Sequence, residues 1–320
     1  MSNEIIIVTG ASGQIGSDLV LKLRELYGND NVIATDIKDP SKEVLESGPF
    51  EEFNVMNRER LQELIKQYKP TQIYHLAAML SATGEKMPLK AWDLNMNSLL
   101  SILEEAREGH FKRVFFPSSI AVYGRNIARE QTPQHSPKNP STVYGISKLA
   151  GEKWCEYYYN RYGVDVRSLR YPGLISWKTE AGGGTTDYAV DIFYKALSEK
   201  KYTSFLSAST ALPMMYMDDA IKATIDLMQA DEKELTVRSS YNLGGISFAP
   251  KEIAAEIKKH IPEFKIDYEP DYRQTIADTW PISINDTSAR TDWNWQHNYN
   301  LEDMVKEMLT QLKEKLNVIT

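Results

Sequence analysis

Thiols are almost absent from this sequence. A single cysteine, Cys155, rules out an internal disulfide and any thiolate cluster, and it fits a reducing compartment. Cys155 stands in a helical run beside Trp154 and Tyr157, the setting of a packed thiol rather than a nucleophile. Histidine is also scarce. His75, His110, His135, His260 and His297 are scattered without ligand spacing, so no metal is expected. Basic residues number 37 against 44 acids, for a net charge of −7, and no basic cluster or arginine-rich helix occurs. That balance argues against nucleic acid and anionic membranes as partners. Long apolar runs are missing too. No segment approaches the length of a membrane span. Glu4 interrupts the apolar start, and no basic stretch precedes it, so a secretory signal is not expected and a cytoplasmic protein is.

What is present is the composition of an ordinary globular enzyme, 42% hydrophobic and 25% charged over 320 residues. That length suits one large domain or two unequal lobes. β-rich runs at 4–9, 31–36, 51–55, 72–77, 112–117 and 164–170 alternate with amphipathic stretches at 15–27, 57–68, 90–107 and 142–162. Such alternation predicts a parallel sheet with helices on both faces. Continuous apolar runs such as Ile5-Ile6-Ile7-Val8 and Val114-Phe115-Phe116 match strands buried on both sides. After Pro172 the texture changes. A helical run from Asp218 to Met228 leads to a strand-like Ser240–Leu243, and the tail scatters aromatics among prolines and acids. The fold expected is a Rossmann-type doubly wound α/β sheet with a smaller C-terminal substrate lobe. Residues 1–172 would form the dinucleotide domain. Residues 173–320 would mainly form an irregular substrate lobe, with some segments returning to the sheet.

The most informative stretch is Thr9-Gly10-Ala11-Ser12-Gly13-Gln14-Ile15-Gly16, set between an apolar strand and a helical pattern. A glycine-rich turn there lets a pyrophosphate approach the backbone and the free N–H groups of a helix N-terminus. A second apolar strand delivers Asp36, twenty residues beyond Gly16, where a carboxylate accepts ribose hydroxyls. The same carboxylate repels a 2′-phosphate, which selects NAD over NADP. Gly10, Ser12, Gly13, Gln14, Ile15, Gly16 and Asp36 are the first cofactor residues.

Tyr144 and Lys148 stand four apart on one face of a predicted helix. A neighbouring ammonium stabilises a phenolate and is expected to lower the tyrosine pKa toward working pH. Ser118 and Ser119 follow the buried run of the fifth strand, at the end of the sheet that lines a ligand crevice. A turn or cap explains Ser118, whereas Ser119 is placed to hydrogen-bond a substrate alcohol. Tyr123 has no lysine four residues on and is assigned to structure.

These motifs resemble an extended short-chain dehydrogenase/reductase of the NAD-dependent epimerase/dehydratase superfamily over essentially the whole chain. The matching segments are Thr9-Gly10-x-x-Gly13-x-x-Gly16, His75-Leu76-Ala77-Ala78, Ser118-Ser119, Tyr144-x-x-x-Lys148, Arg170-Tyr171-Pro172 and Tyr241-Asn242-Leu243-Gly244. The resemblance implies a catalytic triad of Ser119, Tyr144 and Lys148. It adds Leu76, Ala77, Ala78, Asn95 and Tyr171 to the cofactor site, together with Asn54-Val55 where relatives usually carry Asp-Val or Asp-Leu. The resemblance also implies a homodimer.

Beyond Tyr171 the chain departs from sugar-nucleotide members. Pro172-Gly173-Leu174-Ile175-Ser176 lacks the asparagine that meets a nucleotide sugar. The segment Trp177 to Val190, including Gly182-Gly183-Gly184-Thr185-Thr186-Asp187, is similar to that of short-chain L-threonine 3-dehydrogenases. Glycines expose backbone N–H groups, and a helix beginning near Thr186 would aim its positive end at a carboxylate. Ser81, Gly184, Thr185, Thr186, Asp187 and Trp280, with Ser119 and Tyr144, are the expected substrate residues. The resemblance implies NAD-dependent oxidation of the L-threonine side-chain hydroxyl to L-2-amino-3-oxobutanoate. Two rivals stand beside it: a nucleotide-sugar 4-epimerase or dehydratase, and a non-catalytic dinucleotide-binding regulator.

Overall fold

The computed structural model describes residues 4–179, 182 and 184–317. Its centre is a sheet of seven strands: β1 Ile6–Thr9, β2 Val32–Asp36, β3 Phe50–Glu52, β4 Gln72–His75, β5 Arg113–Ser119, β6 Val166–Tyr171 and the short Tyr241–Asn242. Every pairing is parallel. Across the sheet the order is Tyr241–Asn242, β6, β5, β4, β1, β2, β3. The chain therefore winds outward in one direction through β2 and β3, and in the other through β5 and β6. The switch lies between β1 and β4, and a crevice opens at the strand ends there.

The sequence explains why these elements form. Ile6, Ile7, Val8, Val32, Ile33, Ala34, Val114 and Phe115 have no exposed surface, as strands covered on both faces require. The helices Gln14–Tyr27, Arg58–Tyr68, Pro88–Arg107 and Val143–Tyr162 fall within two residues of the sequence expectation; the first and the last two connect adjacent parallel strands, whereas Arg58–Tyr68 crosses from β3 back over β2 and β1 to β4. Strand β5 runs two residues further than expected, so Ser118 and Ser119 are its last residues, not a turn after it.

The second half is more regular than its composition predicted. Gly173–Ile175, Leu212–Tyr216 and Ile246–Phe248 make a small sheet, and Lys201–Ser204 pairs with Lys265–Tyr268. Helices Tyr188–Ser198, Pro250–His260 and Leu301–Lys315 close over a second core. Met304, Val305, Met308, Leu309 and Leu312 form the buried stripe of the last helix, a spacing masked in the sequence by intervening charges. Two later segments return to the main sheet. Helix Met217–Gln229 packs on Gln14–Tyr27 and β6, and Tyr241–Asn242 pairs with β6. Among the described residues, no helix is long and apolar enough to cross a membrane.

Candidate active site

A cleft of about 660 Å³ opens at the switch point, walled on one side by the glycine turn and on the other by the segment after Tyr171. The turn is built by close approach. Gly10 has φ +72°, and a Cβ there would stand 2.7 Å from the backbone nitrogen of Ala77. A Cβ on Gly16 would lie 2.1 Å from the Gly10 carbonyl oxygen. The glycines thus seat the helix Gln14–Tyr27 directly against the end of β1. That helix begins at Gly13 without a side-chain cap, leaving the N–H groups of its first turn to an anion. The cradle fits a dinucleotide pyrophosphate.

Asp36 ends β2 at the rim. Its Oδ2 accepts the Ser12 N–H at 3.0 Å, while Oδ1 accepts Ile37 and Lys38 N–H at 2.7 and 3.1 Å. These bonds fix the carboxylate in the lining of the cleft, and its two oxygens keep acceptor capacity to spare. Ser12, Gln14, Ile15, Asn54, Val55, Leu76, Ala77 and Ala78 line the same wall. His75, just before them, is wholly structural. Its ring nitrogens meet Thr9 Oγ1 at 2.9 Å and Ser98 Oγ at 3.0 Å, and burial holds its pKa down to about 3, so it stays neutral. Tyr171 lines the cleft, while its ring packs against Phe115 in the core and its hydroxyl is engaged with the buried Thr224.

Ser119, Tyr144 and Lys148 meet at the floor of the cleft. The helix Val143–Tyr162 is started by Thr142, whose hydroxyl accepts the Gly145 N–H at 3.0 Å, and by Glu85, which accepts the Val143 N–H at 2.8 Å. Lys148 follows one turn after Tyr144, its Nζ 5.5 Å from the Tyr144 ring centre and 4.7 Å from that of Phe116. Ser119 neighbours the Tyr144 phenol, and its hydroxyl accepts the Ala121 N–H at 3.2 Å. The charge states differ from the sequence expectation. Burial pushes the Tyr144 phenol up to about 12, and the neighbouring Ser119 hydroxyl offsets this only in part. Burial likewise holds Lys148 down to about 7. Desolvation penalises a lone charge on either group, so the ammonium expected to depress the phenol is itself suppressed.

Asn95 does not line the cleft. Its amide accepts the Met79 N–H at 2.8 Å and donates to Met79 O at 3.1 Å and Ser147 Oγ at 3.2 Å. It pins the loop after β4 to the helix Val143–Tyr162, and Met79 supplies the wall instead.

On the opposite wall, Gly182, Thr186 and Asp187 reach the cleft with Gly173 and Leu174. Four expected substrate residues do not. Gly184 donates its N–H to Asp187 Oδ2 at 2.8 Å, and Thr185 is buried beneath the turn. Ser81 opens the short helix Ser81–Lys86, whose neighbours Leu80 and Thr83 take the lining positions. Trp280 packs between Ile120, Tyr123 and Ile284 and the second core, and its carbonyl accepts Arg129 at 2.8 Å. Gly183 lies outside the described residues. The helix starts at Tyr188, two residues later than expected, because Thr185–Asp187 form a turn closed by the Asp187 carboxylate. Leu80, Thr83 and Leu174 were missed because single apolar or hydroxyl residues in loops carry no spacing signal.

His110, Glu105 and Glu108 bring ligand-type atoms within 4.8 Å of one another. The buried Glu105 is already paired with Arg58, Gln62 and His110, which accounts for the cluster without an ion.

Fold and cleft together define a dinucleotide-dependent oxidoreductase of the short-chain type. The chain belongs to the NAD dependent epimerase/dehydratase family, a sequence model of which matches residues 6–244. Its cofactor is NAD. A relative in Staphylococcus haemolyticus, described as an uncharacterized epimerase/dehydratase, is 50% identical over 98% of each chain. The solved GalE-like L-threonine dehydrogenase from Cupriavidus necator, in its holo form, is 54% identical with a TM-score of 0.94, over 97% of this chain and 100% of that one. A monomeric L-threonine 3-dehydrogenase from a metagenome database is 48% identical with a TM-score of 0.92, covering 97% of this chain and 99% of that one.

Proposed function

We propose that the chain oxidises the side-chain hydroxyl of L-threonine with NAD, giving L-2-amino-3-oxobutanoate. The observation that carries the reading is the sharing of one cleft by Tyr144, Ser119, Thr186 and Asp187. A proton acceptor and groups for a small zwitterion thus sit across from each other. Tyr144 takes the hydroxyl proton, and Ser119 holds the oxygen as it becomes a carbonyl. Burial opposes an isolated charge on Tyr144 or Lys148, whereas an ionised phenol beside an ammonium would form a neutral pair, the form in which Tyr144 would accept the proton. When bound, NAD supplies the hydride acceptor. Gly10, Gly13, Gly16, Asp36 and Lys148 would hold it. Thr186 would donate to the substrate carboxylate, and Asp187 would face its ammonium.

The proposal includes a two-lobed division of labour and a homodimer in the cytoplasm. Sedimentation of the purified chain decides the oligomer, since a relative 48% identical is monomeric. The activity is tested by following NADH formation across a panel of amino alcohols and, because an epimerase or dehydratase returns the hydride to its sugar and releases no NADH, by chromatography of the products from a panel of UDP-sugars. The expected result is turnover of L-threonine well above all others. Efficient turnover of a UDP-sugar with none of L-threonine would give the cleft to an epimerase or dehydratase.

A further inference from the structure

Behind the reacting groups lies a second polar centre that the mechanism does not use. Glu152 is fully buried and sits one helical turn beyond Lys148, on the same face. Its Oε1 accepts Ser118 Oγ at 2.6 Å and Arg170 Nε at 2.8 Å, and its Oε2 accepts Arg170 Nη2 at 2.9 Å. Arg170, 1% exposed, continues the web through Nη1 to Tyr123 Oη at 3.2 Å, Gln134 O at 3.1 Å and Asn242 Oδ1 at 2.9 Å. Asn242 in turn donates to Thr132 O and Asn285 O. One ion pair therefore joins the catalytic helix, the ends of β5 and β6, the strand Tyr241–Asn242 and two loops.

A buried ion pair is poor value as a stabiliser, because desolvation cancels much of its attraction and an apolar pair often serves as well. Its geometry is more informative. Ser118 lines the cleft beside Ser119, Glu152 follows Lys148 by four residues, and Arg170 precedes Tyr171, so each member lies in the cleft wall or next to a residue of it. The carboxylate sets both the height and the rotation of the helix against the end of β5, which are the two quantities that decide whether the Ser119 and Tyr144 hydroxyls meet. We propose that Ser118, Glu152 and Arg170 are positioning residues that hold Ser119, Tyr144 and Lys148 in reacting register. This rests on assigning the reaction to those three groups. A displacement of about 1 Å at such a site costs on the order of 10²-fold in rate.

The test uses full-length protein with NAD and L-threonine. Ser118→Ala removes one hydrogen bond without orphaning a charge. The pair Glu152→Leu with Arg170→Met removes the ion pair while leaving no lone charge behind. Ser118→Ala is expected to melt close to the parent, and the double variant, which deprives the buried Gln134 carbonyl of its Arg170 donor, somewhat lower; both are expected to keep the KM for NAD and for L-threonine within about twofold and to lose about tenfold or more in kcat. Parent-like kcat in folded Ser118→Ala and in the folded double variant would overturn the proposal and make the web purely structural. If the double variant fails to fold, Ser118→Ala alone decides. Tyr144→Phe is measured alongside. Its inactivity with Ser118→Ala fully active rejects only the positioning role, whereas an active Tyr144→Phe rejects the assignment of the reacting groups themselves.

Discussion

The two walls of the cleft are both rich in glycine, yet the glycines do different things. At Gly10 and Gly16 the backbone is pressed against backbone, and a Cβ would fall 2.7 Å from Ala77 N or 2.1 Å from Gly10 O. At Gly182 the nearest neighbour of a Cβ would be an Asp187 carboxylate oxygen at 3.8 Å. The cofactor wall is fixed by close packing of strand and helix, and little in it can change without moving β1. The opposite wall joins the tightly packed Gly173, where a Cβ would meet Met214 Sδ at 2.5 Å, to a loop whose turn is closed by a single carboxylate, Asp187 to the Gly184 N–H. On the proposed function, chemistry common to many substrates would sit on the cofactor side, and the choice of substrate would rest with a few side chains on the other.

The largest effect is expected where the walls meet. Tyr144→Phe keeps the ring and removes the proton acceptor, so kcat should fall about 10²–10⁴-fold while NAD binding, followed by fluorescence titration, is retained. A variant with most of its rate would detach the chemistry from this helix.

Next comes a direct contrast between the two kinds of glycine. Gly16→Ala should weaken NAD binding on the order of 10–100-fold, through overpacking against the Gly10 carbonyl. Gly182→Ala should leave NAD affinity and melting temperature near the parent values. Equal damage from both substitutions would erase the distinction between the walls.

A smaller effect concerns stability. The Lys148 amine is held down by burial from 10.5 to about 7, so between those values the unfolded chain binds more protons than the folded one. Its burial therefore destabilises the fold most at and below about pH 7, and the cost fades as pH rises toward 10.5. Lys148→Met, measured by thermal melts without cofactor, should be the more stable protein near neutrality, by on the order of a few kcal/mol. The gap should close in alkaline buffer. A gap that grows with pH would reverse the sign of the argument.

The same contrast explains what was legible in the sequence. The glycine turn, Asp36 and the alternating apolar runs stand out because backbone geometry permits few residues there, so spacing alone carries the message. Tyr144, Lys148 and Ser119 were legible only jointly, since helix periodicity and a strand end had to place them together. The substrate wall was harder to read. Thr186 and Asp187 reach the cleft, but Thr185, Gly184, Ser81 and Trp280 are taken up by turns and core. A loop residue's direction depends on contacts far away in sequence, such as Arg129 on the Trp280 carbonyl. The Glu152–Arg170 web was equally hidden, because its members lie on separate elements and follow no common period.

The account is tested most directly by steady-state kinetics of Thr186→Ala, with L-threonine and NAD varied in turn. One lost hydrogen bond to a charged carboxylate is worth about 1.5–3 kcal/mol. The KM for L-threonine should therefore rise about tenfold or more, with the KM for NAD within twofold of the parent. An unchanged threonine KM, or an equal rise in both constants, would contradict the assignment of this wall to the substrate.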